Sequence, residues 1–88
     1  MKRYYIVYEG IVQGVGFRGK IIQIARRNRL TGFVRNMDNG NVECEVQGEN
    51  IDPFLTESLK NDYFARVYDY SIREIPPVED EETFRVRF

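Results

Sequence analysis

The 88-residue sequence contains no histidine and no tryptophan, and its one cysteine, Cys44, has no partner within the chain. No internal disulfide can therefore form, and no imidazole is available for catalysis. No segment approaches the roughly 20 apolar residues of a membrane-spanning helix. The opening stretch MKRYYIVYEG also lacks the apolar run and cleavage site of a signal peptide. Together these absences predict a cytoplasmic protein in a reducing environment.

An excess of charge of either sign is also missing. The chain has 13 Lys and Arg residues against 14 Asp and Glu residues, which gives a formal net charge of −1. No segment is uniformly basic, so the sequence lacks the broad electrostatic surface that binds a nucleic-acid backbone or an anionic membrane. We therefore expect no nucleic-acid partner and no membrane partner. Any anion that binds must be small and held locally.

The residues that are present fit an ordinary globular protein. Apolar residues make up 42% of the chain, and six tyrosines with six phenylalanines supply large side chains for burial. No internal repeat, low-complexity tract or linker divides the chain, so we expect a single domain over residues 1–88. A chain of this length buries about 60 to 65% of the surface that its unfolded form exposes. That is room for one sheet and one layer of helices.

Hydrophobic periodicity and turn residues predict five strands and two helices. The second helix begins with Asp52 as N-cap and Pro53 at the first helical position. Val42, Cys44 and Val46 alternate with polar residues, which predicts a strand with one buried face. The predicted strands span residues 4–12, 33–37, 41–47, 66–75 and 83–88, and the predicted helices span residues 17–28 and 52 to about 61.

Three local features carry their own predictions. Asn39-Gly40 favours a hairpin with a type I′ turn, because both residues tolerate the positive φ that this turn needs. The strand at 66–75 alternates in polarity and is expected to be half-buried. The acidic run 79–82 is expected to be a solvated loop.

The predicted order is β-α-β-β-α-β followed by one extra strand. This order is typical of the ferredoxin-like α+β sandwich, an antiparallel sheet with two helices on one face. Right-handed crossovers place the first two strands parallel, with the third strand between them. Their C-terminal ends then lie at the same edge of the sheet, roughly 10 Å apart. A glycine-rich segment leaves the first strand at that edge.

This segment, VQGVGFRGK at residues 12–20, partly fits two nucleotide-binding motifs. Its three glycines have the G-x-G-x-x-G spacing of a dinucleotide fingerprint, and Asp38 follows at nearly the expected distance. The hairpin immediately after Asp38 disfavours this alternative, because a dinucleotide site needs a parallel sheet. A P-loop is disfavoured as well, since Lys20 is followed by Ile21 where a magnesium-binding hydroxyl is needed.

The segment keeps the physical feature that both motifs share. A glycine-rich turn before a helix leaves backbone N–H groups unpaired, and the helix dipole adds positive potential. Such a turn binds a phosphate-sized anion. Arg18 at the helix start costs roughly a few tenths of a kcal/mol unless an anion lies beside it. These residues alone leave two interpretations open, an anion site and a tight turn with a solvated arginine.

Two stretches, GIVQGVGFR at residues 10–18 and TGFVRNMDNGNVE at residues 31–43, resemble a known family. They closely resemble the signatures V-Q-G-V-x-F-R and G-x-V-x-N-x-x-x-G-x-V-E of the acylphosphatase family, at the right separation. The resemblance implies a ferredoxin-like fold and hydrolysis of the carboxyl-phosphate bond of an acyl phosphate to a carboxylate and inorganic phosphate. It also implies that Arg18 binds the phosphate and that Asn36 orients the attacking water. The phosphate-binding residues that it implies are Gly14, Val15, Gly16, Phe17 and Arg18.

The chain departs from the family pattern at three places. Where the family has a glycine at the end of the first helix this chain has Arg29, so either Arg29 is left-handed or Asn28 takes that role. Asn39 replaces a common aspartate in the hairpin turn, and residues 61–64 replace a glycine-proline stretch. These departures concern loop shape and stability, not the two catalytic positions.

The implied reaction needs no general acid, because the leaving carboxylate has a conjugate acid with a pKa of about 4 to 5. Cys44 is expected to face inward as a small hydrophobe, so direct attack by water is favoured over a covalent phosphoenzyme. Gln13 is expected to brace the loop and not to take part in the chemistry. No metal and no other cofactor is expected. The expected partners are a small-molecule acyl phosphate and inorganic phosphate, bound by a monomer.

Two other functions stay open as alternatives. Ferredoxin-like domains also bind RNA through aromatic residues on the open sheet face, although LTGFVRNM at residues 30–37 fits the RNA-binding strand motif poorly. A non-catalytic phosphate-binding module would keep the glycine-rich loop without turning a substrate over.

Overall fold

The helices and strands follow the predicted order, and their bounds agree closely with the prediction except at the end of the second helix. The structure is a computed structural model that describes residues 1–88. The strands are β1 (Lys2–Ile11), β2 (Thr31–Asn36), β3 (Val42–Gly48), β4 (Arg66–Ile75) and β5 (Phe84–Arg87), and the helices are α1 (Phe17–Arg27) and α2 (Asp52–Ser58).

The five strands form one sheet in the order β4-β1-β3-β2-β5. As predicted, β3 lies between β1 and β2 and is antiparallel to both, so β1 and β2 run parallel. Tyr8 of β1 and Asn36 of β2 both pair with Val42, the first residue of β3. The C-terminal ends of β1 and β2 therefore lie at the same edge of the sheet, on either side of β3.

The sheet is mixed, because β5 runs parallel to β2. Strand β4 ends at Ile75, which pairs with Arg3 near the start of β1. Strand β2 starts at this same end, where Thr31 pairs with Gln47. The segment between β4 and β5 crosses this end of the sheet, so β5 enters beside β2 in the same direction. The sequence pattern predicted the extra strand but not its direction.

One face of the sheet packs against both helices and forms the core. Val42, Cys44 and Val46 of β3 are fully buried in this core, as predicted. The prediction that only one face of β3 is buried is wrong, because Glu43 and Gln47 on the other face are each only 7% exposed. Phe17, the first residue of α1, is anchored in this core, with its ring edge-on to Tyr8 at 5.0 Å between centroids. Aromatic pairs of this geometry contribute about 0.5 to 1.5 kcal/mol beyond their burial. The start of α1 is thereby fixed against the sheet.

Helix α1 ends in a Schellman motif that has an arginine at its left-handed position. The Leu30 amide donates to the Ala25 carbonyl at 2.9 Å, and the Arg29 amide donates to the Arg26 carbonyl at 3.1 Å. Arg29 has a φ of 58°, whereas Asn28 has a φ of −93°. Of the two alternatives for this helix end, the structure therefore contains the left-handed Arg29.

Helix α2 begins and ends differently from the prediction. Asp52 is its first helical residue and not its N-cap, and the Asp52 amide donates to Asn50 Oδ1 at 3.1 Å. The helix ends at Ser58, and residues 61–65 form a loop in which Asp62 Oδ1 accepts hydrogen bonds from two following amides. Such side chain to backbone bonds compete with helix continuation. Neither α1, with 11 residues, nor α2, with 7, is long and apolar enough to cross a membrane.

The turn between β2 and β3 is not the predicted type I′. Of Asn39 and Gly40, only Gly40 has a positive φ, at 93°. The Gly40 amide donates to the Met37 carbonyl at 3.2 Å, and the Met37 amide donates to the Asn41 carbonyl at 2.8 Å. This is the hairpin loop in which a type I turn is followed by a left-handed glycine. Asn39 consequently needs no unusual backbone conformation.

The prediction that β4 is half-buried is wrong. Tyr68, Tyr70 and Ile72 are 71%, 41% and 37% exposed. Strand β4 lies at one edge of the sheet, where it pairs with β1 alone. The alternating polarity therefore predicted the strand correctly. It gave no information on whether a helix covers either face of that strand.

The acidic segment 79–82 is not simply a solvated loop, because Glu81 binds a buried arginine. Arg3 is 2% exposed, and its guanidinium donates to Glu81 Oε1 and to Glu45 Oε1, both at 2.7 Å. Burial alone would lower the pKa of Arg3, but the hydrogen bonds and charges of Glu81 and Glu45 outweigh it and raise that pKa. The ion pair between Arg3 and Glu81 ties the segment before β5 to the face of the sheet that the helices do not cover.

Candidate active site

The loop of residues 12–16 joins β1 to α1 at the sheet edge where β1 and β2 both end. Gly14 and Gly16 have φ values of 73° and 80°, in the left-handed region that strains residues with a Cβ. A Cβ added at either position would contact nothing within 4 Å. The backbone conformation, and not crowding, therefore requires glycine at both positions.

Backbone amides before and within the first turn of α1 lack protein partners. The first hydrogen bond at this end of the helix runs from the Lys20 amide to the Gly16 carbonyl at 3.1 Å. The amides of Gly14, Val15 and Gly16 donate to no protein acceptor, and the first amides of a helix have no intrahelical acceptor. The unpaired N–H groups and the positive end of the helix dipole together attract an anion to this turn.

Arg18 adds a guanidinium to this turn. The side chain is half-buried, lies in the first turn of α1 and forms no ion pair with any carboxylate. The first turn of α1 also contains no acidic residue. A cation at the positive end of a helix dipole is unfavourable in itself. The arrangement therefore favours an anion between the Arg18 guanidinium and the amides of the loop.

Asn36 is the last residue of β2 and lies across β3 from the end of β1. Its Oδ1 atom is buried and has no hydrogen-bond partner in the protein. A buried acceptor left unpaired costs about 1 to 3 kcal/mol, and such atoms are nearly always paired with protein or with ordered water. The Asn36 side chain therefore offers an acceptor to a small donor molecule such as water.

Gln13 links the loop to the hairpin that follows Asn36. Its Nε2 donates to the Met37 carbonyl at 2.7 Å and to the Asn41 carbonyl at 2.8 Å. The prediction that Gln13 braces the loop is confirmed by these two bonds. The loop and the end of β2 are therefore held together directly, and not only through β3.

Sequence reasoning missed a polar network next to Asn36. The Tyr5 hydroxyl donates to Glu43 Oε1 at 2.6 Å, and Arg35 Nε donates to Glu43 Oε2 at 2.8 Å. Burial alone would raise the pKa of Glu43, but these hydrogen bonds and the charge of Arg35 lower it. The hydrogen bond to Glu43, together with burial, raises the pKa of Tyr5 to about 12. Both oxygens of Glu43 are occupied, so this carboxylate acts as a fixed structural anion. The sequence did contain a clue to this network: Arg35 and Glu43 have opposite charges and pair directly across the hairpin.

Cavities lie at both ends of the sheet. The largest, of about 440 Å³, is at the end away from the loop, and its lining includes the carboxylates of Glu49, Glu79, Asp80 and Glu81. These four acidic residues outnumber the one arginine of the lining, Arg29, so this cavity is unfavourable for a doubly charged anion. A smaller cavity of about 330 Å³ lies at the loop's end of the sheet and is lined by Arg35, Asn36, Met37, Asp38, Glu43 and Phe88. This smaller cavity lies at the same sheet edge as the loop, but of the candidate site residues only Asn36 lines it.

Other candidate residues have structural partners. Cys44 is fully buried in the core, and burial raises the pKa of its thiol, so it is not a nucleophile. Lys20 pairs with Asp62 at 3.7 Å and donates to the Lys60 carbonyl. No three His, Cys, Asp or Glu side chains are grouped so as to hold a metal ion. The groups at this edge that are open to a ligand are the loop amides, Arg18 and Asn36.

Comparison with known proteins agrees with this architecture. The model of the Acylphosphatase family matches residues 4–86. An acylphosphatase of Clostridium beijerinckii is 41% identical over 90 aligned residues, which cover all of both chains. The crystal structure of acylphosphatase from Bacillus subtilis has a TM-score of 0.94 and 32% identity, with full coverage of both chains. The structure of an acylphosphatase from Coxiella burnetii has a TM-score of 0.83 and 34% identity over 98% of this chain and 92% of that one. The chain therefore belongs to the acylphosphatase family of hydrolases and has its ferredoxin-like α+β fold, with two helices on one face of the sheet and an extra C-terminal strand.

Proposed function

We propose that this hydrolase cleaves the carboxyl-phosphate bond of acyl phosphates by direct attack of water and without a metal ion. One observation carries the proposal. Two sets of unpaired groups lie at the same sheet edge: the loop amides with Arg18, and the buried Oδ1 of Asn36. A phosphate group would pair with the first set, and a water molecule would pair with the second.

The phosphate group would be held by the backbone amides of residues 14–18 and by the Arg18 guanidinium. A guanidinium donates two parallel hydrogen bonds to two phosphate oxygens, and the amides reach the remaining ones. Both kinds of donor stabilise charge on the equatorial oxygens as it develops in the transition state. Phosphoryl transfer leaves little covalent work for a protein, so these positioned donors supply most of the catalysis.

Asn36 would orient the attacking water by accepting a hydrogen bond from it at Oδ1. The amide carries no charge, so it holds a water molecule without repelling the phosphate dianion. The water oxygen forms a bond to phosphorus, and the bond between phosphorus and the acyl oxygen breaks on the opposite side. The carboxylate leaves with the bonding electron pair, and the water's proton passes to solvent or to the phosphate product.

The leaving group explains how the site works without a general acid. A carboxylate whose conjugate acid has a pKa of about 4 to 5 leaves at neutral pH without protonation. The chain has no histidine, and Cys44 is buried in the core, so no side chain at this edge is suited to form a phosphoenzyme. These features favour direct hydrolysis over a covalent intermediate.

The proposal extends to the partners of the chain. We infer a small-molecule acyl phosphate substrate, a monomeric enzyme, no nucleic-acid partner and a cytoplasmic location. The near-zero net charge and the single cysteine support these inferences. Sedimentation equilibrium tests the monomer, and RNA binding at micromolar protein would contradict the absence of a nucleic-acid partner.

The proposed reaction is tested by hydrolysis of benzoyl phosphate in EDTA, with benzyl phosphate, which has an alcohol leaving group, as the matched phosphate monoester. We expect turnover of benzoyl phosphate and none of the monoester, because only the acyl phosphate has a leaving group that needs no acid. Activity that requires added magnesium would contradict the metal-independent mechanism. Protection of the fold by inorganic phosphate without any turnover would indicate a non-catalytic phosphate-binding module instead.

A further inference from the structure

Gln13 is the only polar connection between the two halves of the proposed site. No other hydrogen bond joins residues 12–18, which include the phosphate-binding loop, to residues 36–42, which include Asn36 and the hairpin turn. Gln13 directly precedes Gly14, and its carbonyl acceptors begin at the residue after Asn36. The side chain therefore spans the gap between the groups assigned to the phosphate and the group assigned to water.

The two acceptors belong to a rigid part of the hairpin. Met37 and Asn41 close the turn, with the Met37 amide donating to the Asn41 carbonyl at 2.8 Å. Gln13 Nε2 lies 2.7 and 2.8 Å from the two carbonyl oxygens, at the short end of the usual range for N–H···O bonds. Both hydrogens of one amide group are thus used on one closed turn, which fixes the position of the loop relative to β2.

We propose that Gln13 is a positioning residue that sets the distance between the bound phosphorus and the water held by Asn36. This inference rests on the proposed function. Attack in line with the leaving group requires the water to lie at one defined place relative to the phosphate, and a misplacement of about 1 Å costs about 10²-fold in rate. Loss of the Gln13 bonds leaves the donors for the phosphate intact and shifts them relative to Asn36.

Gln13→Met tests the proposal, because methionine has a similar length and no hydrogen-bond donor. We expect kcat for benzoyl phosphate to fall about 10- to 100-fold, while the inhibition constant of inorganic phosphate stays within about threefold of that of the unmodified enzyme. The control is Gln23→Met, which makes the same change on the exposed face of α1. We expect this control to leave kcat and the phosphate inhibition constant unchanged.

A double variant that combines Gln13→Met with Asn36→Ala distinguishes a positioning role of Gln13 from a merely structural one. If Gln13 acts through Asn36, Gln13→Met lowers kcat by less than about threefold once Asn36 is already alanine. Additive losses in the double variant would overturn the proposal. So would a normal kcat in Gln13→Met, or a parallel loss of phosphate binding.

A second variant, Gln13→Asn, keeps the test decisive if Gln13→Met does not fold. Asparagine is one methylene shorter and cannot reach both carbonyls, so we expect a loss of kcat with phosphate binding retained. Full activity of Gln13→Asn would overturn the proposal. Absence of benzoyl phosphate hydrolysis by the unmodified enzyme would overturn the proposed function together with this inference, whereas normal activity of the Gln13 variants would overturn this inference alone.

Discussion

The guanidinium carbon of Arg18 lies 5.6 Å from the centroid of the Phe88 ring. This distance is within the range of a cation–π interaction. Phe88 is 96% exposed, so its ring shields little of the neighbouring surface from solvent. The contact restrains the Arg18 side chain without supplying a negative charge, and it leaves the charge of Arg18 available to an anionic ligand.

We expect Phe88→Ala to lower kcat/KM for benzoyl phosphate by about two- to fivefold, because an exposed cation–π pair is worth about 0.5 to 1 kcal/mol. Steady-state kinetics would measure the change. Tyr68→Ala removes another exposed aromatic ring, from β4 at the opposite edge of the sheet, and should leave kcat/KM unchanged. Equal effects of the two substitutions would show that the Arg18 contact contributes nothing to activity.

Arg18→Ala and Asn36→Ala should each reduce turnover of benzoyl phosphate by at least about 10³-fold, comparable with the loss of an oxyanion-hole donor. Their effects on ligand binding should differ. Arg18→Ala should also abolish inhibition by inorganic phosphate, whereas Asn36→Ala should retain it, since Asn36 is proposed to contact the water and not the phosphate. Arg27→Ala, which removes an exposed guanidinium from the same helix, is the matched control. Near-normal turnover in both active-site variants would exclude the proposed mechanism.

Local patterns explain why most of the fold could be predicted from the sequence. The alternation of Val42, Cys44 and Val46 identifies a buried strand face without reference to any other part of the chain. Glycines at 14 and 16 before a helix indicate a turn that needs positive φ. These signals depend on backbone geometry and side-chain period, which neighbouring residues determine.

Features that depend on distant parts of the chain could not be predicted in this way. Arg3 is buried because Glu81, 78 positions away, pairs with it. The exposure of β4 depends on which strands the helices cover. In the site, the residues themselves made the loop and Arg18 candidates, and the family resemblance added Asn36. The unpaired state of Asn36 Oδ1 is visible only in the folded chain.

Arg29→Gly should stabilise the fold by about 0.5 to 1 kcal/mol. Arg29 has a φ of 58° at the end of α1, and the left-handed conformation costs a residue with a Cβ about 1 to 2 kcal/mol. The greater entropy of glycine in the unfolded chain offsets part of the gain. Thermal denaturation followed by circular dichroism should show a rise in Tm of about 2 to 8 °C.

Asn28→Gly is the matched control for this substitution. Asn28 precedes Arg29 and has a φ of −93°, so glycine relieves no strain there. We expect it to lower the free energy of unfolding, because glycine only adds unfolded-state entropy and the Asn28 side chain loses its hydrogen bond to the Ile24 carbonyl. A lower Tm for Arg29→Gly than for the unmodified protein would contradict the assignment of strain to Arg29.

Acid should destabilise the fold through Glu43 and Glu81. Burial alone would raise the pKa of each carboxyl, but hydrogen bonds and charge from arginines, with Tyr5 or Thr31 as further donors, hold both below the ordinary value of 4.5. The unfolded chain therefore binds these protons more readily than the folded one. The stability that the two groups contribute is fully present above about pH 4.5 and is lost as the pH falls through their folded-state pKa values.

Glu81→Gln isolates one of these groups. The amide cannot ionise, so we expect the free energy of unfolding at pH 7 to fall by about 1 to 3 kcal/mol, the range for a weakened partly buried pair. The decline in stability between pH 5 and pH 3 should also become shallower than in the unmodified protein, because one lowered pKa has been removed. Urea denaturation at several pH values measures both quantities.

Glu79→Gln neutralises an exposed carboxylate of the same segment that has no partner in the structure, so it should change neither quantity appreciably. Equal acid sensitivity of Glu81→Gln and the unmodified protein would mean that the Arg3 pair does not link folding to pH.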